Sequence, residues 1–102
     1  MIRIANLSDL NEPTENNEIF LPLFQTSTFK IEAIRSWLKI PGELYNQEED
    51  EWVILLEGKA SIEMDNQIFT LQKGDYFFIP KHRVHRILST SKNALWIGVF
   101  SF

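Results

Sequence analysis

The feature that most constrains this chain is a succession of short apolar runs from residue 28 to residue 102, rich in Ile, Val, Phe, Trp and Tyr and separated by Gly, Pro, Asp and Asn. This pattern is typical of β-strands that are joined by short turns. We predict seven strands, at 28–38, 51–57, 59–64, 67–71, 76–79, 84–88 and 94–102. This part of the sequence has no long amphipathic helical segment, so it predicts an all-β sandwich or barrel.

Three of the expected turns contain residues that tolerate a positive φ angle. Gly58 separates the second and third predicted strands, and Gly74 lies just before the fifth. Asp65 and Asn66 fit the two central positions of a hairpin turn. Such short connections imply that neighbouring strands pair antiparallel.

Residues 1–27 differ from the rest of the chain. Turn and cap formers, among them Ser8, Asp9 and Pro13, surround a short apolar cluster at 19–24. We therefore predict a loose N-terminal arm over 1–27, with one helical turn, and a single barrel domain over 28–102. A chain of 102 residues with 44% hydrophobic residues can bury one core and is too short for two.

The composition disfavours several classes of partner. A net charge of -4 would repel nucleic-acid phosphates, so we expect no nucleic-acid partner. Wholly apolar runs such as 53–56 are far too short to cross a membrane, and residues 1–10 do not resemble a signal peptide. The chain contains no Cys, which favours a cytoplasmic protein because small exported domains usually need disulfides. A small-molecule ligand is the expected partner.

Several predicted strands are apolar on both faces. Within 51–57, Val53 and Leu55 alternate with Trp52 and Ile54. One face should line the interior of the barrel, and the other should be covered, because large apolar patches rarely stay exposed on monomers. We therefore expect a homodimer.

Two short motifs carry a resemblance to a known family. Glu51 is followed after six residues by Gly58, and the segment from Gly74 to His85 has the form G-D-x-x-x-I-P-x-x-x-x-H. Both motifs resemble those of the cupins, and residues 41–88 carry the resemblance. It implies an antiparallel double-stranded β-helix, which is the RmlC-like cupin jelly-roll barrel.

The resemblance also implies a site. Cupins commonly hold a metal through two His residues, a Glu and a later His; Glu51 and His85 stand at the last two positions, and Tyr45 and Gln47 replace the first two. The implied ligands of one divalent ion, Fe, Mn, Zn or Ni, are thus Tyr45, Gln47, Glu51 and His85. This set is weak, because an amide oxygen is neutral and a phenol loses its proton only near a pKa of about 10. His82 is the alternative nitrogen donor if its loop turns inward.

The alternation of the strands bears on the same residues. Glu51 shares a face with Val53, and His85 shares a face with Ile87, so both side chains are expected inside the barrel and close together. The three Trp residues are expected in the core or in an interface: Trp37, Trp52 and Trp96.

These residues leave several functions open. A metal-dependent enzyme would act on a small oxygen-rich or anionic metabolite, and the basic cluster at 81–86 would attract the anion. Without a metal, His85 could serve as a general base and Tyr45 or Tyr76 as an acid. The alternatives are a non-catalytic metabolite-binding or sensing module with a degraded metal site, and a purely structural dimer.

Overall fold

The computed structural model describes residues 2–102, which form eight β-strands and one 3-10 helix, Leu7–Asp9. The strands are β1 (Asn17–Gln25), β2 (Phe29–Trp37), β3 (Asp50–Glu57), β4 (Lys59–Met64), β5 (Gln67–Gln72), β6 (Tyr76–Ile79), β7 (His85–Thr90) and β8 (Ala94–Ser101). They form two antiparallel sheets, ordered β1-β2-β8-β3-β6 and β5-β4-β7. The predicted all-β antiparallel class is confirmed. No helix among residues 2–102 is long and apolar enough to span a membrane.

Seven strands agree with predicted strands to within two residues at either end, whereas β1 was not predicted. It pairs with β2 along its whole length, from Asn17 to Gln25, so this part of the expected loose arm is a sheet strand. Pro22 is accommodated because β1 is an edge strand, and the pairing register shifts between Pro22 and Phe24. The 3-10 helix supplies the expected helical turn. The division into an arm, 1–27, and a domain, 28–102, stays a prediction.

The predicted turns have the expected backbone conformations. Asp65 and Asn66, between β4 and β5, both have a positive φ, of 57° and 60°. Gly58 and Gly74 have φ values of 90° and 93°. A Cβ atom at Gly58 would also lie 2.5 Å from the Ser91 Oγ, whereas nothing lies within 4 Å of a Cβ at Gly74. At Gly58 both the positive φ and the lack of space for a side chain favour glycine, whereas at Gly74 only the positive φ does.

The main hydrophobic core lies between the two sheets. Its buried members come from both sheets: Ile34, Val53, Leu55, Ala60, Ile62, Leu71, Ile79, Ala94 and Trp96. A second cluster joins Leu10 of the N-terminal segment to Ala33 and Leu95. Because Ala33 and Leu95 alternate with inward-facing neighbours, this cluster lies on the outer side of the larger sheet, where the N-terminal segment covers part of it.

The outer side of the larger sheet carries two apolar rows that cross all five strands. Residues in direct register share a face. One row is Leu21, Ala33, Ile97, Ile54 and Tyr76, and the other is Phe24, Ile31, Val99, Trp52 and Phe78. We call these ten residues the outer apolar face. Its four aromatic residues are between 38% and 66% exposed. A strand such as β3 is therefore apolar on both faces, and its outer face is partly exposed to solvent.

Candidate functional site

A cavity of about 260 Å³ opens between the two sheets. Its apolar wall consists of Phe20, Ile34, Val53, Ile62, Phe77, Ile79, Ile87, Trp96 and Phe100. Its polar groups are Glu18, Lys30, Glu32, Tyr45, Gln47, Glu49, Glu51 and His85. The volume equals that of about nine water molecules in the liquid, so the cavity suits a ligand of monosaccharide size. All four site residues expected from the sequence line this one cavity.

Glu51, the second residue of β3, is a buried carboxylate, 7% exposed, that lies opposite Ile79. Its Oε1 accepts a hydrogen bond from the Gln47 Nε2 at 2.9 Å. Burial raises the pKa of Glu51 to about 7; the hydrogen bond from Gln47 opposes this rise, and the negative charges of Glu32 and Glu49 add to it. Near neutral pH the carboxyl group is therefore present in both the protonated and the ionised form.

Gly98 makes room for this carboxylate. It lies in β8 between β2 and β3, directly opposite Glu32 and Val53. A Cβ atom at this position would lie 3.2 Å from the Glu51 Oε2 and 3.0 Å from the Phe100 ring. A glycine inside a strand often marks such a close approach, and this was the signal in the sequence that could have pointed to Gly98.

His85, the first residue of β7, is 8% exposed and has a defined orientation. Its Nδ1 lies 2.9 Å from the Arg83 carbonyl oxygen. Since a carbonyl oxygen can only accept, the neutral ring carries its proton on Nδ1 and donates it there. The Nε2 then keeps a free lone pair, which can accept a hydrogen bond, take up a proton or bind a metal.

Tyr45 contacts His85 through both its backbone and its side chain. The Tyr45 amide donates to the His85 carbonyl at 2.8 Å, the His85 amide donates to the Tyr45 carbonyl at 3.1 Å, and the two rings stack with centroids 5.6 Å apart. Burial, and then the negative charges of Glu18 and Glu43, raise the pKa of the Tyr45 hydroxyl above its ordinary value. The phenol is therefore a hydrogen-bond donor at neutral pH.

The four residues thus form two pairs that line one cavity, Gln47 with Glu51 and Tyr45 with His85. Glu51 lies in the larger sheet and His85 in the smaller one. The inward placement of Glu51 and His85 agrees with the strand alternation. In the described part of the chain no hydrogen bond or ion pair joins these two side chains. The catalytic and metal-ligand roles assigned to the four residues stay predictions.

Two alternatives from the sequence do not fit this geometry. His82 is exposed, does not line the cavity, and places its Nδ1 3.4 Å from the Asn46 Oδ1. It is therefore not the missing nitrogen donor. Tyr76 is 66% exposed on the outer apolar face, where it contacts Trp52 with ring centroids 5.6 Å apart, so it is not an acid in the cavity.

The donor set fits a divalent transition ion poorly. Among residues 2–102 no three His, Cys, Asp or Glu side chains lie close enough to hold a metal ion. Glu51 and His85 are two usual donors, but the Gln47 amide is neutral and the Tyr45 phenol keeps its proton. These side chains therefore do not make a tight site of the usual kind.

Three features of the cavity were not predicted from the sequence. Glu18 lines it from β1, a strand that was itself missed, and accepts a hydrogen bond from the Ser36 Oγ at 2.6 Å. Glu32 lines it from β2 beside Lys30, whose Nζ lies 4.0 Å from the Glu32 Oε2. Trp96 belongs to the core, as expected, but also lines the cavity, and its buried indole N–H has no hydrogen-bond partner.

Comparison with known sequences identifies the family. The cupin domain family model matches residues 39–100, which is more than half of the chain. An uncharacterized protein of Aquifex aeolicus (strain VF5) is 33% identical over 57 residues, which are 56% of this chain and 47% of that protein. The chain therefore spans about half the length of the curated relative it matches.

Solved structures share the fold over nearly the whole chain. A protein from Ralstonia eutropha JMP134, described as a proposed mannose-6-phosphate isomerase, is 28% identical with a TM-score of 0.83, covering 98% of both chains. KdgF from Halomonas sp. is 17% identical with a TM-score of 0.81, covering 99% of this chain and 94% of that one. A cupin superfamily protein from Desulfitobacterium hafniense DCB-2 is 22% identical with a TM-score of 0.81, covering 100% and 93%. By its matching domain and its jelly-roll barrel, this chain belongs to the cupin domain family.

Proposed function

We propose that this chain binds a small polar metabolite in the cavity between its sheets, oriented by Tyr45, Gln47, Glu51 and His85. The observation that carries the proposal is a largely apolar cavity with a few polar groups, three of which, Glu18, Tyr45 and Glu51, have raised pKa values. This combination is the usual character of a ligand site. The similarity to a protein described as a proposed mannose-6-phosphate isomerase supports a ligand of sugar size.

The polar groups suit hydroxyl-rich molecules. The Tyr45 phenol donates a hydrogen bond, and the His85 Nε2 accepts one because the Arg83 carbonyl holds the proton on Nδ1. Glu51 can do either, because its pKa is about 7. A hydroxyl group can both donate and accept a hydrogen bond, so the hydroxyls of a ligand can pair with each of these three side chains.

Binding can be tested by screening monosaccharides and polyols for stabilisation against heat, since a ligand that binds only the folded state raises its melting temperature. We expect Glu51→Gln to reduce the stabilisation by any compound found. Glu48→Gln is the matched control, because it makes the same chemical change at an exposed position outside the cavity. Stabilisation that is unchanged in Glu51→Gln, or absent for the whole screen, would contradict the proposal.

A second candidate is an enzyme that transfers protons without a metal, with His85 as general base and Tyr45 as general acid. The contact that favours it is the Arg83 carbonyl, which fixes the imidazole in the tautomer that a base requires. Incubation of a bound ketose or aldose in D₂O should then place deuterium on the carbon next to the carbonyl, as seen by NMR. The exchange should be lost in His85→Asn and kept in Glu48→Gln; exchange that persists in His85→Asn would exclude this role.

We also propose that two copies of the chain associate through the outer apolar face. Aromatic side chains bury about 150–250 Å² each, so the exposed parts of Phe24, Trp52, Tyr76 and Phe78 leave roughly 400 Å² open. A stable interface buries about 800 Å² per partner, and the aromatic residues alone supply about half of this area. The aliphatic residues of the two rows, such as Leu21 with 39% exposure, extend it.

Light scattering tests the dimer directly. The parent chain should give twice its mass of 12.0 kDa at micromolar concentration. Phe78→Glu should give the monomer, whereas Ile68→Glu should not, because Ile68 is an equally open apolar residue on β5 of the smaller sheet. A monomeric parent chain would remove the proposal. A cytoplasmic location, favoured by the absence of Cys, stays a prediction.

A further inference from the structure

The cavity is lined by more negative than positive groups. Four carboxylates face it, from Glu18, Glu32, Glu49 and Glu51, and Lys30 is the one Lys or Arg among its lining residues in the described chain. An anionic metabolite was one of the expected ligands because of the basic cluster at 81–86, but its Lys and Arg residues, Lys81, Arg83 and Arg86, do not line the cavity. Within this cluster, Arg83 is paired with Asp65. The charge of the site therefore opposes an anion.

The carboxylates act on the same point of the cavity. After burial, the charges of Glu18, Glu43, Glu51 and Glu32 raise the pKa of the Tyr45 phenol. After burial, the charges of Glu32 and Glu49 also raise the pKa of Glu51, which the charge of Lys30 lowers. Their negative potential thus converges on the two pairs of polar residues described above. A positive charge placed there would relieve this repulsion and favour the ionised form of Glu51.

Lys30 shows how this cavity holds an ammonium group. Its Nζ lies 4.8 Å from the centroid of the Phe100 ring and 4.0 Å from the Glu32 Oε2. A cation is stabilised both by the face of an aromatic ring and by a carboxylate. The cavity wall therefore already holds one ammonium group by an aromatic ring and a carboxylate.

We propose that the ligand of this cavity is a small hydroxylated amine, of the amino sugar or amino polyol class, with its ammonium beside carboxylates of the cavity wall and its hydroxyl groups on Tyr45 and His85. This inference rests on the proposed function, because it names the ligand class of the same site. It differs from that function in requiring a positive charge on the ligand.

Three matched probes test the charge: glucamine, sorbitol and sorbitol 6-phosphate, titrated into the purified full-length chain and measured by calorimetry. Glucamine differs from sorbitol by an ammonium in place of a hydroxyl. We expect glucamine to bind at least tenfold more tightly than sorbitol, and sorbitol 6-phosphate to bind more weakly than either. The preference for glucamine should shrink several-fold in Glu49→Gln and stay unchanged in Glu48→Gln.

Binding of sorbitol 6-phosphate at least as tight as that of glucamine would overturn the inference and leave the proposed function standing. Binding by neither amine nor polyol would also overturn it. The proposed function itself is tested separately, by the thermal screen and by the loss of stabilisation in Glu51→Gln.

Discussion

Glu51→Gln offers a quantitative test of whether this carboxylate is buried as the structure describes. The pKa of Glu51 is raised from 4.5 to about 7 in the folded chain. The folded state therefore binds more protons than the unfolded state between these two values, and stability falls as the pH rises through this window. At about 1.4 kcal/mol per pH unit, the loss reaches about 3 kcal/mol above pH 7.

Gln cannot ionise, so the variant escapes this loss. The difference in unfolding free energy between Glu51→Gln and the parent should therefore shift by about 3 kcal/mol in favour of the variant between pH 4.5 and pH 8. Glu18 also has a raised pKa, but it is present in both proteins and cancels in the difference. Urea unfolding, followed by Trp fluorescence at several pH values, measures this quantity.

The matched control is again Glu48→Gln, whose exposed side chain should give a difference that does not depend on pH. A flat difference for Glu51→Gln over the same range would mean that the carboxylate ionises as freely in the folded chain as in the unfolded one. The apolar setting described for it would then be wrong.

Three further predictions follow from other positions. Gly98→Ala should weaken ligand binding several-fold and lower the free energy of unfolding by about 1–3 kcal/mol, because its methyl group would lie 3.2 Å from the Glu51 Oε2. Calorimetry measures the affinity and urea unfolding measures the stability. An unchanged affinity would argue against a role for the space that Gly98 leaves beside Glu51. Gly58→Val and Gly74→Val should each lower the free energy of unfolding by about 1–3 kcal/mol, because Val would have to adopt a positive φ. Gly58→Val should lower it clearly more, because its side chain would also collide with the Ser91 Oγ. Equal melting temperatures of the two variants would contradict this order. Chain purified without a metal-affinity tag should contain well below one equivalent of transition metal by elemental analysis. One full equivalent that disappears in His85→Ala would instead establish the ligand set implied by the family resemblance.

The fold was predictable where a local pattern decides it. Strands β2 to β8 have dense β-branched and aromatic residues, and residues such as Asp65, Asn66 and Gly58 fix the turns between them. Strand β1 was missed because its apolar cluster, 19–24, lies among turn and cap formers. It forms a strand because it pairs with β2 at the edge of the sheet, where Pro22 is tolerated. That edge position is set by the sheet order, which no local window of sequence contains.

The site was predictable to a similar extent. Glu51 and His85 were found because strand alternation and a spaced motif both point to them. Glu18 and Glu32 were not found, because each is an ordinary acidic residue until the sheets bring it to the cavity. The unpaired N–H of Trp96 is likewise a property of packing, since any buried Trp has the same sequence signal.

The sheet edges differ in how well they resist joining to another chain. At β1, Pro22 removes an N–H and the register shift beside it bends the strand, so a foreign strand cannot pair along its whole length. The edge of the smaller sheet at β5 lacks both devices and exposes Ile68 and Phe69. Of these two edges, β5 is therefore the one more open to intermolecular β-pairing at high concentration, and Ile68→Lys should reduce such pairing.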